Sequence, residues 1–299
     1  MSRKSKRFLA LAAALILGFS LGPTAQAQGL KLGFKFMGGM GYQIGGDDTA
    51  SLRGLKALVD DYVAAAGLKL KSNVVPFMNH IALEGDADII VSLTPRLGVS
   101  VGLGYVRGGT IFGSGNVIVL HGSAEEKSVN KVAASAMPLK LGVYYSFGSR
   151  FEAEGKRGSY LFGGVGLYSG KYTASEDYSY QAARSTSSLT AKASGLGFYG
   201  GLGSENWINP NFAFVIELYG RYAKFGGFKG DWQRTGGGAS NSGSGTLYYY
   251  EWQDDDGNWY PATDLFDTAP ASGGFLRAVR EARIDFSAFG FRFGFRVSL

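Results

Sequence analysis

The segment Phe289 to Leu299 constrains the fold more than any other part of the chain. Phe289, Phe291, Phe293, Phe295, Val297 and Leu299 alternate with Gly290, Arg292, Gly294, Arg296 and Ser298. In a strand, successive side chains point to opposite faces. One face is therefore a row of large apolar groups and the other carries two arginines among small residues. A soluble sheet buries its apolar face and wets its polar one. Arginines facing a crowded interior, with phenylalanines outside, suit a strand whose outer face meets lipid. In lipid every backbone polar group needs an internal partner, so only helices and closed barrels span.

The N-terminus predicts export. Arg3, Lys4, Lys6 and Arg7 form a basic stretch, Phe8–Leu21 is apolar, and Ala25-Gln26-Ala27 has the small-x-small form of a cleavage site. Residues 1–27 read as a signal peptide and 28–299 as one barrel domain. The apolar run is shorter than the roughly 20 residues of a membrane-spanning helix. The formal charge of +6 falls to about +2 without those four basic residues. With no concentrated basic patch downstream, nucleic acid is not an expected partner. Cysteine is absent, which excludes disulfides and a lipid anchor on an N-terminal cysteine.

Similar alternation recurs along the mature chain. Leu30, Leu32, Phe34, Phe36, Met40, Tyr42 and Ile44 oppose Lys31, Gly33, Lys35, Gly39, Gly41 and Gln43. Ile81, Leu83, Ala87, Ile89, Val91 and Leu93 oppose His80, Glu84, Asp86, Asp88 and Ser92. Leu97–Tyr105, Met137–Phe147, Tyr160–Tyr172, Leu189–Gly203 and Phe212–Tyr222 complete the set with the C-terminal segment. The expected fold is all-β: an antiparallel up-and-down, eight-stranded transmembrane β-barrel with long external loops and one short loop helix. Eight is the smallest common number in this class.

Connection lengths alternate. Thr94–Arg96, Gly148–Gly158 and Ser204–Pro210 are short; Gly45–Asn79, Gly108–Lys131, Ala174–Ser188 and Gly226–Glu281 are long. Short periplasmic turns and long external loops would put both termini in the periplasm. Leu52, Leu55, Val59, Tyr62 and Ala66 share a helical face, predicting a helix over Ala50–Ala66 in the first long loop. In the last loop, Asp256-Gly257 between aromatic runs signals a hairpin, and Gly236–Gly245 reads as a mobile Gly/Ser stretch.

On these residues the chain resembles the small outer-membrane β-barrels, such as the OmpA membrane domain, OmpW and the opacity-type proteins. The resemblance covers the whole mature chain. It implies the cell outer membrane, outer-membrane lipid and lipopolysaccharide as surroundings, and the barrel-assembly machinery as a partner. It also implies an assembly signal at Phe291, Phe293, Phe295, Val297 and Leu299; in the family that signal ordinarily closes on an aromatic residue.

The inward faces carry Lys31, Lys35, Glu84, Asp86, Asp88, Lys140, Glu217, Arg221, Arg292 and Arg296. Buried charge is costly unless paired, so these residues are expected to form an ion-pair network filling the lumen. The alternative is a conduit for polar or amphipathic solutes. Tyr248, Tyr249, Tyr250, Trp252, Trp259 and Tyr260 suit either an interfacial belt or a recognition surface for an external ligand. His121-Gly122-Ser123 with Glu125 and Glu126 has the residue types of a lipid-A-modifying hydrolase. That motif falls in one external loop, away from the lipid-facing wall, and no enzyme activity is expected. Asp254–Asn258 lacks the closing Glu of a calcium loop. No cofactor or metal is expected. The sequence therefore points to a structural or surface-interaction protein, with a small porin or transporter as the alternative and the lipid hydrolase third.

Overall fold

The structure, a computed structural model, describes residues 31–74, 80–109, 115–121, 123–147 and 157–299. The expected signal peptide and most of the Gly148–Gly158 turn lie outside the described residues. In chain order the strands are β1 (Lys31–Gln43), β2 (Lys69–Val74), β3 (Ile81–Ser92), β4 (Leu97–Gly109), β5 (Gly115–His121), β6 (Ala124–Ser146), β7 (Arg157–Tyr180) and β8 (Ala183–Asn209). They continue as β9 (Phe212–Tyr222), β10 (Lys224–Phe225), β11 (Lys229–Gly236), β12 (Ala239–Gln253), β13 (Trp259–Phe266), β14 (Leu276–Glu281), β15 (Ile284–Asp285) and β16 (Ala288–Ser298). One helix, α1 (Asp47–Ala65), follows β1.

Eight strands close on themselves. The ring runs β1–β3–β4–β6–β7–β8–β9–β16 and back to β1, each pair antiparallel. Closure leaves the ring without a strand edge. Its faces follow the sequence alternation. Lys35, Glu84, Lys140, Glu217 and Arg296 are buried inside, while Phe36, Leu103, Met137, Leu218 and Phe293 are exposed outside. Turn chemistry shapes the short connections. Thr94 Oγ1 accepts from the backbone N–H groups of Arg96 and Leu97 at 3.2 and 2.9 Å. Leu299 N–H donates to Leu32 O at 2.9 Å and Ser298 N–H to Asn211 O at 2.8 Å, so the chain end meets β1 and the β8–β9 turn.

The connections read as long loops are largely strand, which corrects the sequence expectation. β7 and β8 run on together to a tight turn at Gln181-Ala182, with Tyr180 opposite Ala183. β6 extends back to Ala124 to pair with β5. The stretch Gly236–Gly245, expected to be mobile, forms most of the β11–β12 hairpin. The alternation was weak there because small polar residues occupy both faces, yet ladder hydrogen bonds need no apolar face. The Asp-Gly signal does mark a hairpin turn, between β12 and β13.

Above the ring these extensions form an open sheet ordered β2–β5–β6–β7–β8–β11–β12–β13. Helix α1 lies against β13, near one end of that sheet. Gly54 permits the contact, since a Cβ there would come within 2.3 Å of Pro261 O. The helix starts three residues before its predicted bound (50 − 47). Asp47 is the reason: its carboxylate accepts from Arg280 Nη1 and Nη2 at 2.6 and 2.7 Å and from Arg283 N–H at 2.7 Å. Between extension and ring, β10 pairs β15. Phe225, Phe228, Ile284 and Phe286 form an apolar layer there with Tyr168, Tyr172 and Leu247.

Asp48, at the start of α1, is buried, and desolvation pushes its carboxyl up to about 6 against the pull of backbone N–H donors at Thr49 and Gly46. Its folded pKa therefore lies above the unfolded value, so its ionised form opposes folding above about pH 6. That penalty fades as pH falls toward 4. Asp48→Asn should stabilise the protein at pH 7.5 by up to about 3 kcal/mol. Unfolding measured at pH 7.5 and pH 4 should show the gain shrinking at the lower pH; an equal gain at both would remove Asp48 as its source.

Candidate functional site

The interior of the ring holds the charged set, and the register explains how its members meet. Arg292 on β16 lies directly opposite Glu217 on β9. Lys35 on β1 lies opposite Asp88 on β3, and Asp88, Gly102 and Lys140 share one cross-strand row. Gly102 keeps that row passable: a Cβ there would sit 1.8 Å from Asp88 Oδ1, closing the path by which Lys140 reaches the carboxylate.

Glu217 is the hub. Its Oε1 accepts from Lys35 Nζ at 2.7 Å and Tyr160 Oη at 2.5 Å, and its Oε2 accepts from Arg292 Nη2 at 2.6 Å. Arg292 Nη1 also donates to Asp86. Lys140 Nζ bridges Asp86 and Asp88 at 2.8 and 3.1 Å. Lys35 Nζ donates to Tyr144 Oη at 2.6 Å and lies 3.4 Å from Asp88. Towards the extension, Arg221 Nη1 donates to Glu84 at 2.5 Å, while its Nε donates to Phe286 O at 2.7 Å. Towards the termini, Arg296 Nη1 donates to Glu205 at 3.0 Å. Five cations (Lys35, Lys140, Arg221, Arg292, Arg296) thus meet five carboxylates (Glu84, Asp86, Asp88, Glu205, Glu217). The set is formally neutral, so it produces no strong field of one sign. Aromatic rings fill the space between: the Lys35 ammonium is 4.7 Å from the Tyr144 ring centre and the Arg292 guanidinium 4.7 Å from that of Tyr219.

Nine of the ten lumen residues read from the sequence fall in this network. Lys31 does not; it is exposed near the start of β1, below the buried layer. Glu205 was missed because Ser204–Pro210 reads as a turn, whereas β8 continues to Asn209 and turns Glu205 inward. Tyr144 and Tyr160 were missed as well. The available signals were the parity of Tyr144 with Lys140 and the need of Arg296 for a counter-charge.

The remaining residues singled out in the sequence sit elsewhere. His80 does not face inward: its ring stacks on outward Tyr42 at 5.1 Å, and Nδ1 lies 3.0 Å from Gln43 O. The strand starts only at Ile81, so its alternation does not reach His80. His121 Nε2 is 2.7 Å from Glu126 Oε2, Glu125 pairs with Lys71, and Ser123 is exposed. All four lie at the β5–β6 tip, whereas β6 joins the ring only from Ala133 onward. Asp254 caps its own turn, accepting from Asn258 N–H at 2.7 Å, and also accepts from Tyr260 Oη at 3.1 Å. Tyr248, Tyr249, Tyr250, Trp252, Trp259 and Tyr260 lie on β12 and β13 in the extension, above the ring. None is exposed: Arg280 packs on Tyr249 and Arg277 on Trp259, at 4.3 and 4.1 Å. Phe291, Phe293, Phe295, Val297 and Leu299 line the outer face of the ring, all but Val297 exposed.

No protein-family model matches the chain. No curated protein matches it either. Among solved structures, the chain is similar to a major outer membrane protein from Thermus thermophilus. The two are 15% identical with a TM-score of 0.34, over 90% of this chain and 99% of the other.

A buried charge that loses its partner keeps its desolvation cost. Glu217→Ala removes the acceptor shared by Lys35, Tyr160 and Arg292. It should destabilise the protein by about 3–5 kcal/mol. The double variant Lys35→Met/Glu217→Leu should recover part of that loss. Equilibrium unfolding in urea measures both, and a Glu217→Ala cost below about 1 kcal/mol would show that the hub does not hold the interior together.

Proposed function

We propose that the protein is an integral outer-membrane β-barrel with a plugged interior and a structural or surface-interaction role. The observation that carries this reading is the polarity of the closed ring, apolar and exposed outside, charged and paired inside. Leu103, Met137, Leu218, Phe293 and Leu196 are each more than half exposed around it. Exposed apolar area on that scale marks an interaction or membrane surface. Among the described residues no helix is long and apolar enough to cross a membrane, which bears only on helices.

The start of β1 and the C-terminal Leu299 lie at the end of the ring with the short turns, and the sheet extension rises from the other. The length rule for bacterial barrels then gives periplasmic termini and an external extension. The plugged reading draws on the neutral network and on the aromatics packed through it; an eight-stranded ring has an interior just wide enough for side chains. A non-catalytic role draws support from the exposure of Ser123 and its distance along β6 from the ring.

Cell fractionation and planar-bilayer recording test the two parts separately. The protein should sediment with outer membranes and resist extraction by alkaline carbonate, and reconstituted protein should give no stable single-channel steps. Recovery in the soluble periplasmic fraction would overturn the membrane assignment. Steady open steps would instead favour the small-porin reading.

A further inference from the structure

The extension contains a cleft that the plugged ring does not use. It has a volume of about 270 Å³ and lies between α1 and the inner faces of β6, β7, β8 and β13. The strand register arranges its sheet wall in successive rows. The deepest row, Ala134–Tyr172–Ala191, is fully buried. Next comes Val132–Ala174–Leu189, which is apolar and half-buried. Two residues further along each strand, about 7 Å away, the row becomes Asn130–Glu176–Ser187–Arg234 and is polar throughout.

The facing wall repeats the contrast. Leu52, Leu55 and Leu58 of α1 line the cleft, with Leu55 and Leu58 only half-buried. Arg234 donates to Asp264, so its charge is already matched. Glu176, exposed at the rim of the cleft, accepts the neutral Ser128 hydroxyl at 2.9 Å and pairs with no cation among the described residues. The mouth therefore carries one carboxylate without a cationic partner among these contacts.

We propose that this cleft binds a small amphipathic cation, with its apolar body against the leucines and its ammonium group at Glu176. A body of about ten heavy atoms suits a site just below the usual ligand-pocket range. The proposal does not depend on whether the ring interior conducts, so an open channel would leave it standing.

Three probes with one body and different heads test it: 4-phenylbutylamine, 4-phenylbutanol and 4-phenylbutyrate. Each is titrated by calorimetry into the purified full chain in detergent-free lipid nanodiscs, with empty nanodiscs as the blank. The amine should bind saturably at one site, the alcohol about tenfold or more weaker and the carboxylate weakest, since a charge-assisted hydrogen bond is at stake. Glu176→Gln should remove the preference for amine over alcohol while leaving alcohol binding in place. Ala174→Trp, which fills the cleft, should abolish binding of all three. As a check on folding, Thr173→Trp places the same bulk on the opposite face of β7 and should leave amine binding intact. No saturable binding of the amine, binding that survives Ala174→Trp, loss of binding in both tryptophan variants, or a carboxylate that binds as well as the amine would each overturn the proposal.

Discussion

A ring of eight strands has room inside for side chains and little else, so every inward charge must find its partner within the ring. The rest of the structure follows from that constraint. It fixes which residues face which, because an unpaired ammonium or carboxylate there would cost more than most single packing contacts contribute. It also explains the glycines among the charges. Lys140 reaches Asp88 across Gly102, and any larger residue would stand in the gap. Phenylalanines outside and ion pairs inside are two results of one alternation, since a strand that turns Arg292 inward must turn Phe291 and Phe293 outward.

The layers above the ring obey a different rule. Phe225, Phe228, Ile284 and Phe286 pack as an ordinary apolar core between the charged interior and the extension. Asp47 ties α1 to the segment just before β15 through Arg280 and the Arg283 backbone, so helix and inner strand pair are held together. The sheet wall then passes from apolar to polar within one row of residues. A single run of β-structure therefore presents three environments in sequence: charged and paired, apolar and closed, and amphipathic and partly open.

The ring was legible in the sequence because its two faces differ so strongly. Phe289–Leu299 and Leu97–Tyr105 alternate large apolar with small or charged residues, and only one pairing register suits them. The same contrast exposed nine of the buried charges. The extension was not legible, because Ser185, Thr186, Ser187 and Ser188 look alike on both faces of β8 and read as loop. Glu205 was hidden by a related error at the other end of β8, where a supposed turn proved to be strand. His80 shows the opposite failure, a parity extended one residue past the start of its strand. Tyr260 and its neighbours carried an aromatic signal in the sequence, but their packing against α1, Arg277 and Arg280 depends on contacts between distant segments.

The β7–β8 hairpin has a consequence for the order in which the chain assembles. Its strands stay in register from the Gln181-Ala182 turn down to Arg157 opposite Asn206, so each pair forms by zipping outward from a local loop. The pairing of β1 with β16 is the reverse case. It joins the two ends of the described chain and must overcome the largest loop-closure entropy in the molecule. Lys35 lies on one of those strands and Arg292 on the other, so the contacts that span the seam, Lys35 to Glu217 and Arg292 to Asp86, form only as it shuts. Until then these charges can stay hydrated, and the cost of drying them falls on the step that closes the ring.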